Sequence, residues 1–179
     1  DRFNSASPEG KGRLLQTLGQ LGNEEALQVV IEQSGANNTT VRDAAVRTLS
    51  NWQTQEAIDP LIQVVRTSGS LTHQVLALQG SLRLISQSDM PDSTKLQELR
   101  TLMQLAPRTR EQRMVIGGIS NINSPEALNV ITGYLGDPEL QNEAANAILN
   151  YAARAGNPRG EVIASQVSSS LLTRIVDEQ

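Results

Sequence analysis

Five stretches of this chain carry one apolar stripe in one register, and no other feature narrows the fold so far. They are Lys11–Leu21, Arg42–Trp52, Val75–Ile85, Gln112–Ile122 and Gln141–Tyr151. Aligned without gaps on the last residue, one column holds Leu14, Ala45, Leu78, Val115 and Ala144. Three positions on come Thr17, Thr48, Ser81, Gly118 and Ala147, then Leu18, Leu49, Leu82, Ile119 and Ile148. The last column is Leu21, Trp52, Ile85, Ile122 and Tyr151. These columns fall at 0, +3, +4 and +7, the apolar face of an α-helix. The second is always small, which lets a partner helix approach closely. Trp52 and Tyr151 belong to this stripe and so to the core, not to a binding surface.

The last-column residues lie 31, 33, 37 and 29 positions apart. Between them recurs a second segment: Glu25-Ala26-Leu27, Glu56-Ala57-Ile58 and Glu126-Ala127-Leu128. It keeps the same offsets, so two independent helices share one register and each unit is a helix pair, A then B. The punctuation agrees. Asn23, Ser124-Pro125 and Asp137-Pro138 read as helix starts, with Glu126 and Glu139 in first turns where the helix dipole favours them. Gly22, Gly35, Gly69, Gly136 and Gly156 read as stops. The A helix of the fourth unit is expected from Asp92-Ser93 through Leu96, Leu99, Leu102 and Met103, after a loop at Ser88–Pro91.

The ends differ. The chain opens on a B helix without an A partner, and closes on a lone stripe, Ile163, Val167, Leu171 and Ile175, read as a final A-type helix able to cap the stack. Solenoid ends need polar caps, and Asp1–Gly10 caps poorly. The expectation is one repeat domain over residues 1–179 of about ten helices, belonging to a longer polypeptide.

Composition removes several function classes. Aromatics are only 2% of the residues, so the core relies on aliphatic and small side chains in close helix–helix contact. The net charge is −4, unlike the basic balance of a nucleic-acid binder. There is no cysteine, which removes disulfides, thiolate chemistry and Cys-ligated zinc. No apolar run reaches the roughly 18–20 residues of a membrane span, so no membrane insertion is expected.

The segment Val41–Leu49 (VRDAAVRTL) resembles the second helix of a HEAT repeat, in the short bacterial form of phycobilisome-lyase-like HEAT proteins. Asp137-Pro138-Glu139-Leu140 followed by Glu143-Ala144-Ala145 is similar to the same motif. The units are about ten residues shorter than the usual HEAT/armadillo range of roughly 40–47. The resemblance covers nearly the whole chain and implies an all-α, right-handed αα-superhelix of the HEAT/ARM type. It implies a protein-interaction scaffold whose B helices line the concave side. It also extends to HEAT modules of large secreted bacterial proteins. That gives the alternative of an accessory module in a larger secreted or periplasmic carbohydrate-active enzyme. By that analogy periplasm or secretion stands ahead of cytoplasm.

No constellation for catalysis is evident, and no enzyme activity or cofactor is expected. His73, the one histidine, is expected to cap a helix or face solvent, since it has no second histidine or cysteine to work with. Gly10-Lys11-Gly12 lacks the upstream glycine, the following Ser/Thr and the preceding strand of a phosphate loop. Gly118 has a packing reason; Gly117, beside it, leaves room for a close ligand or backbone contact. Arg108, Arg110 and Arg113 form a mostly solvated helix start.

Four B-helix columns are expected to be exposed. They include Gly12, Asp43 and Leu76; Gln16, Arg47, Gly80, Gly117 and Asn146; Gly19, Ser50, Arg83, Ser120 and Leu149; and Gln20, Asn51, Leu84, Asn121 and Asn150. Arg47, Arg83 and Arg113 would draw a basic line among small residues, with Asn51, Asn121 and Asn146 beside it. Arginine favours bidentate carboxylate contacts, so the expected ligand is an acidic peptide or a polar, sugar-like molecule. The partner is another protein or an attached domain.

Overall fold

Short polar side chains start five of the helices. Ser7, Asn23, Asn38, Ser70 and Ser124 each accept a hydrogen bond from the backbone N–H three residues on, at 2.9–3.5 Å. Pro8 and Pro125 follow two of these caps at the first helical position. The structure, a computed structural model, describes residues 3 and 5–155. Among the described residues are nine α-helices, two short 3-10 turns and no strand.

The helices are α1 (Pro8–Leu21), α2 (Glu24–Ser34), α3 (Thr39–Ser50), α4 (Ile58–Thr67), α5 (Leu71–Gln87), α6 (Asp92–Leu105), α7 (Thr109–Ser120), α8 (Pro125–Thr132) and α9 (Gln141–Ala155). The odd-numbered helices are the B helices and the even-numbered ones the A helices. The stripe at Ile163, Val167, Leu171 and Ile175 lies outside the described residues. Gly10-Lys11-Gly12 is helical, inside α1.

Two starts and stops differ from expectation in detail. Gly22 ends α1 in the left-handed region, φ 65°, with its N–H bonded to the Leu18 carbonyl. Gly35 ends α2 with φ −97°, so it stops the helix without needing glycine's extra freedom. Asp137-Pro138 does not open α9. Asp137 Oδ1 accepts from the Glu139 N–H at 2.8 Å and its carbonyl accepts from Leu140 and Gln141. That local turn competes with the helix, which begins at Gln141, so Glu139 sits before its first turn.

The described residues divide into two compact units. Unit 1 runs to Met90 and includes Gln104–Pro107; unit 2 comprises Pro91–Met103 and the residues from Arg108 on. In unit 1, α2 packs on α3 and α4 on α5, while α1, α3 and α5 stack in series. In unit 2, α7 and α8 pack on α9. The repeated stripes form the cores. Ala45, Leu49 and Trp52 are buried from α3, Leu78 and Ile85 from α5, and Val115, Ile119 and Ile122 from α7 and its end. The A helices answer with Ala26, Leu27 and Val30, with Ala57, Ile58 and Leu61, and with Ala127, Leu128 and Ile131. One buried position escaped the stripe as read from sequence: Leu15, Val46, Ile116 and Ala145 occupy it, one residue beyond the first column.

Several residues expected on an open B-helix face are instead buried: Gly12, Ser50, Gly80, Leu84 and Ser120. Gly12, Ser50 and Gly80 are small, which serves close stacking. A methyl at Gly80 would lie 2.8 Å from the Ser50 carbonyl oxygen and 3.0 Å from its Cα. At Gly19 it would lie 2.6 Å from the Thr48 methyl. At Gly80 only glycine lets the backbones come this near.

Candidate interaction site

A groove of 480 Å³ opens along the seam between α1 and α3. Gly19, Ala44 and Thr48 lie at its floor, where close stacking leaves no bulk to fill it. Gln16 and Gln20 rise from α1, Arg47 and Asn51 from α3, and Gln53 from the turn that follows. All five are exposed. Asn51 Nδ2 donates to the Arg47 carbonyl at 2.8 Å, and Gln53 Nε2 donates to the Asn51 carbonyl at 2.6 Å. Each bond uses one N–H of its amide, and the amide oxygens retain their capacity to accept.

Among the described residues, the Arg47 guanidinium has no hydrogen-bond or ion-pair partner, and neither do the amides of Gln16 and Gln20. No carboxylate lines the groove. The nearest candidate along α3, Asp43, one turn before Arg47, is turned to His73. The groove therefore presents one uncommitted cation and a set of amides, each able to donate and accept.

The other expected site residues have different surroundings. Arg83 is half-buried, and its Nη2 donates to the carbonyls of Ser50 and Trp52, at the end of α3. Its Nη1 donates to Gln87 Oε1 at 3.3 Å. A helix leaves its last carbonyls without partners, and Arg83 satisfies them from the next repeat. In unit 2, Arg113 donates through Nε and Nη2 to the Glu139 carbonyl, at 3.1 and 2.7 Å, and Thr109 bonds the Glu139 carboxylate. Arg113 thus holds the turn before α9. Asn121 and Asn146 are exposed on unit 2, at the end of α7 and on α9. The structure brings Arg47 and Asn51 together in unit 1. It sets Arg83 into the neighbouring seam, so the basic line separates into one open arginine and two that bind backbone.

His73 corrects its expectation of a cap or solvent-facing side chain. It lies in the first turn of α5, is 5% exposed, and bridges two repeats. Nε2 stands 2.6 Å from Asp43 Oδ1 and Nδ1 stands 3.3 Å from Ser68 Oγ. A carboxylate only accepts, so Nε2 carries the proton toward Asp43. The burial arises because the wide contact between α3 and α5 covers the start of α5 as well as its middle. A larger cavity of 820 Å³ lies beside His73, lined by Arg42 and Asp59 among others. It carries both signs of charge, and Arg42 is tied to the Ala36 carbonyl at 2.9 Å.

Two further features were not evident from sequence. Arg108, expected to be solvated, donates two hydrogen bonds at 2.9 and 2.7 Å to Glu111, whose side chain is 1% exposed. The signal was an acidic residue in the first turn of α7, three positions after an arginine. Those bonds hold the Glu111 carboxyl below its ordinary range, against the opposing effect of burial. Gly117 faces open space, with nothing within 4 Å of a methyl placed there. Among the described residues no group of three or more acidic or histidine side chains could hold a metal ion, and no helix is long and apolar enough to cross a membrane.

A family model described as HEAT repeats matches residues 1–79, the span that contains the groove. No curated protein matches the chain.

Proposed function

Because residues 1–79 match a family model of HEAT repeats, and HEAT repeats serve as protein-interaction scaffolds, we propose that this chain is a non-catalytic scaffold. It takes an acidic, extended segment of a partner protein into the α1–α3 groove. One observation carries the reading: Arg47 stands at an amide-lined groove with no acidic neighbour to neutralise it. A partner carboxylate there gains a charge-assisted, two-pronged contact that a lysine could not supply in the same geometry. Gln16, Gln20 and Asn51 offer donors and acceptors at the spacing of a helix face, suited to the alternating N–H and C=O groups of an extended chain. The groove holds no aromatic anchor, so the affinity rests on these polar contacts and is modest.

The test is selection from a random-sequence peptide display library, run in parallel on the wild type and on Arg47→Glu. Peptides enriched by the wild type should carry Asp or Glu and bind Arg47→Glu at least tenfold more weakly. Enrichment of peptides without acidic residues, or equal binding by the variant, would refute the reading.

A further inference from the structure

The 820 Å³ cavity beside His73 differs from the groove in its chemistry. It lies between two A helices, with Ile31 from α2, Pro60 and Val64 from α4, and Val46 from α3. Val46 and Val64 are buried, while Ile31 and Pro60 are half-buried, and together they supply an aliphatic floor. The volume falls within the range of about 300–1,000 Å³ typical of small-molecule sites.

Three of the lining residues can carry charge: Arg42, Asp59 and His73. His73 uses both ring nitrogens, on Asp43 and Ser68. Arg42 is half-buried on α3, and its Nη1 donates to the Ala36 carbonyl at 2.9 Å, which fixes the guanidinium. Among the described residues Nε and Nη2 have no partner, and their N–H groups form one edge of the planar fork. The molecule itself shows what such an edge takes. Arg108 offers the same two nitrogens to the Glu111 carboxylate, at 2.9 and 2.7 Å. Asp59 is exposed in the first turn of α4. Among the described residues its carboxylate has no hydrogen-bond or ion-pair partner, so it does not pair with Arg42. One cavity thus holds a fixed cation and an anion, both uncommitted, beside an aliphatic floor. A simple anion would be repelled by Asp59 and a simple cation by Arg42. A ligand with both charges pairs each with its opposite, and an aliphatic body covers the floor.

We propose that this cavity binds a small zwitterion with an aliphatic body, the chemistry shared by free aliphatic amino acids and short peptides with free ends. Nε and Nη2 of Arg42 take its carboxylate side-on, and Asp59 takes its ammonium. Ile31, Val46 and Val64 receive the aliphatic part.

Methyl NMR of the 179-residue chain tests this, with L-leucine and the dipeptide Leu-Leu as probes. At least one of them should shift the methyl signals of Ile31, Val46 and Val64 to saturation. Tighter binding of leucine makes the free amino acid the ligand, and tighter binding of Leu-Leu makes it the peptide. Acetylating the amine of that probe, or amidating its carboxylate, should weaken binding at least tenfold, as loss of one charge-assisted pair requires. Asp59→Asn should abolish the difference between the free and acetylated probes and keep the difference between the free and amidated ones. Arg42→Gln should do the reverse. Should Arg42→Gln fail to fold, the blocked probes and Asp59→Asn still decide. No saturable shift by either probe up to its solubility limit overturns the proposal. So does equal binding of free and blocked probes, or a response confined to residues outside the cavity. Arg47 enters none of these measurements, so this proposal and that for the groove fail separately.

Discussion

Between α3 and α5, Asp43 reaches His73 at one end of the seam, and Arg83 reaches the carbonyls of Ser50 and Trp52 at the other. Between α1 and α3, among the described residues, no hydrogen bond or ion pair crosses. Both seams use the same columns and the same close stacking on glycine. The difference lies in single residues. The column that supplies Arg83 in α5 supplies Ser50 in α3, whose hydroxyl reaches only the Val46 carbonyl of its own helix. The position of His73 in α5 has no histidine counterpart in α3. A seam in this architecture is closed by side chains that reach the neighbour's backbone, and a groove remains where they are missing. The open groove is thus the residue-level consequence of a repeat that varies at two positions.

The largest expected effect separates the glycines of the two seams. Gly80→Ala forces a methyl against the Ser50 backbone, which cannot move aside, and should cost about 1–3 kcal/mol. Gly19→Ala meets only the Thr48 methyl, the end of a side chain, and gains about 1 kcal/mol of helix propensity, so it should come out near neutral. Urea denaturation of both variants measures the gap; equal losses would break the comparison.

Arg83→Ala comes next. It removes charge-assisted bonds to two carbonyls and should cost about 1–2 kcal/mol. It should also speed amide exchange at the end of α3, at Asn51 and Trp52. Unchanged exchange there would mean that Arg83 does not close its seam.

Unit 2 supplies a pH-dependent counterpart within one helix. Glu111 is held below its ordinary range chiefly by its hydrogen bonds from Arg108. Its stabilisation is fully present above the unfolded-state value, about 4.3, and is lost as the pH falls through the lower folded value. Glu111→Gln should cost about 1 kcal/mol at pH 7 and flatten the loss of stability below about pH 4. Parallel acid titrations of the wild type and the variant, followed by circular dichroism, test this; identical profiles would contradict it.

The smallest stability effect belongs to the open seam. Arg47→Ala touches nothing in the fold, and its stability should stay within about 0.5 kcal/mol of the wild type. A larger loss in the same denaturation experiment would show that Arg47, like Arg83, holds the fold together.

The helix pairs were legible because a stripe at 0, +3, +4 and +7 has one structural solution, and five copies of it confirm one another. Helix starts at Asn23 and Ser124 were equally plain, since a short acceptor before an apolar stripe has a local cause. The start of α9 was not, because Asp137 can bond Glu139 in a turn as readily as it can cap a helix. Periodicity also placed Arg47, Arg83 and Arg113 on B-helix faces without saying what each could reach. Whether an arginine faces solvent or a neighbour's carbonyl depends on residues some 30 positions away, and no spacing within one helix encodes that. Ser50 and Gly80 illustrate the same limit. Small residues read as an open floor, where in the fold they are the contact itself. His73 was missed for this reason too, since its partner Asp43 lies in the previous repeat.

The central claim is that the unstapled α1–α3 seam is where a partner binds. The most direct measurement is to take a peptide selected by the display experiment and record backbone and side-chain amide NMR shifts of the 179-residue chain as it is added. The account predicts that the perturbed signals cluster at Gln16, Gln20, Arg47, Asn51 and Gln53, while the stapled seam around His73 and Arg83 stays unchanged. Perturbations centred on α5, with Gln16 and Arg47 silent, would contradict it.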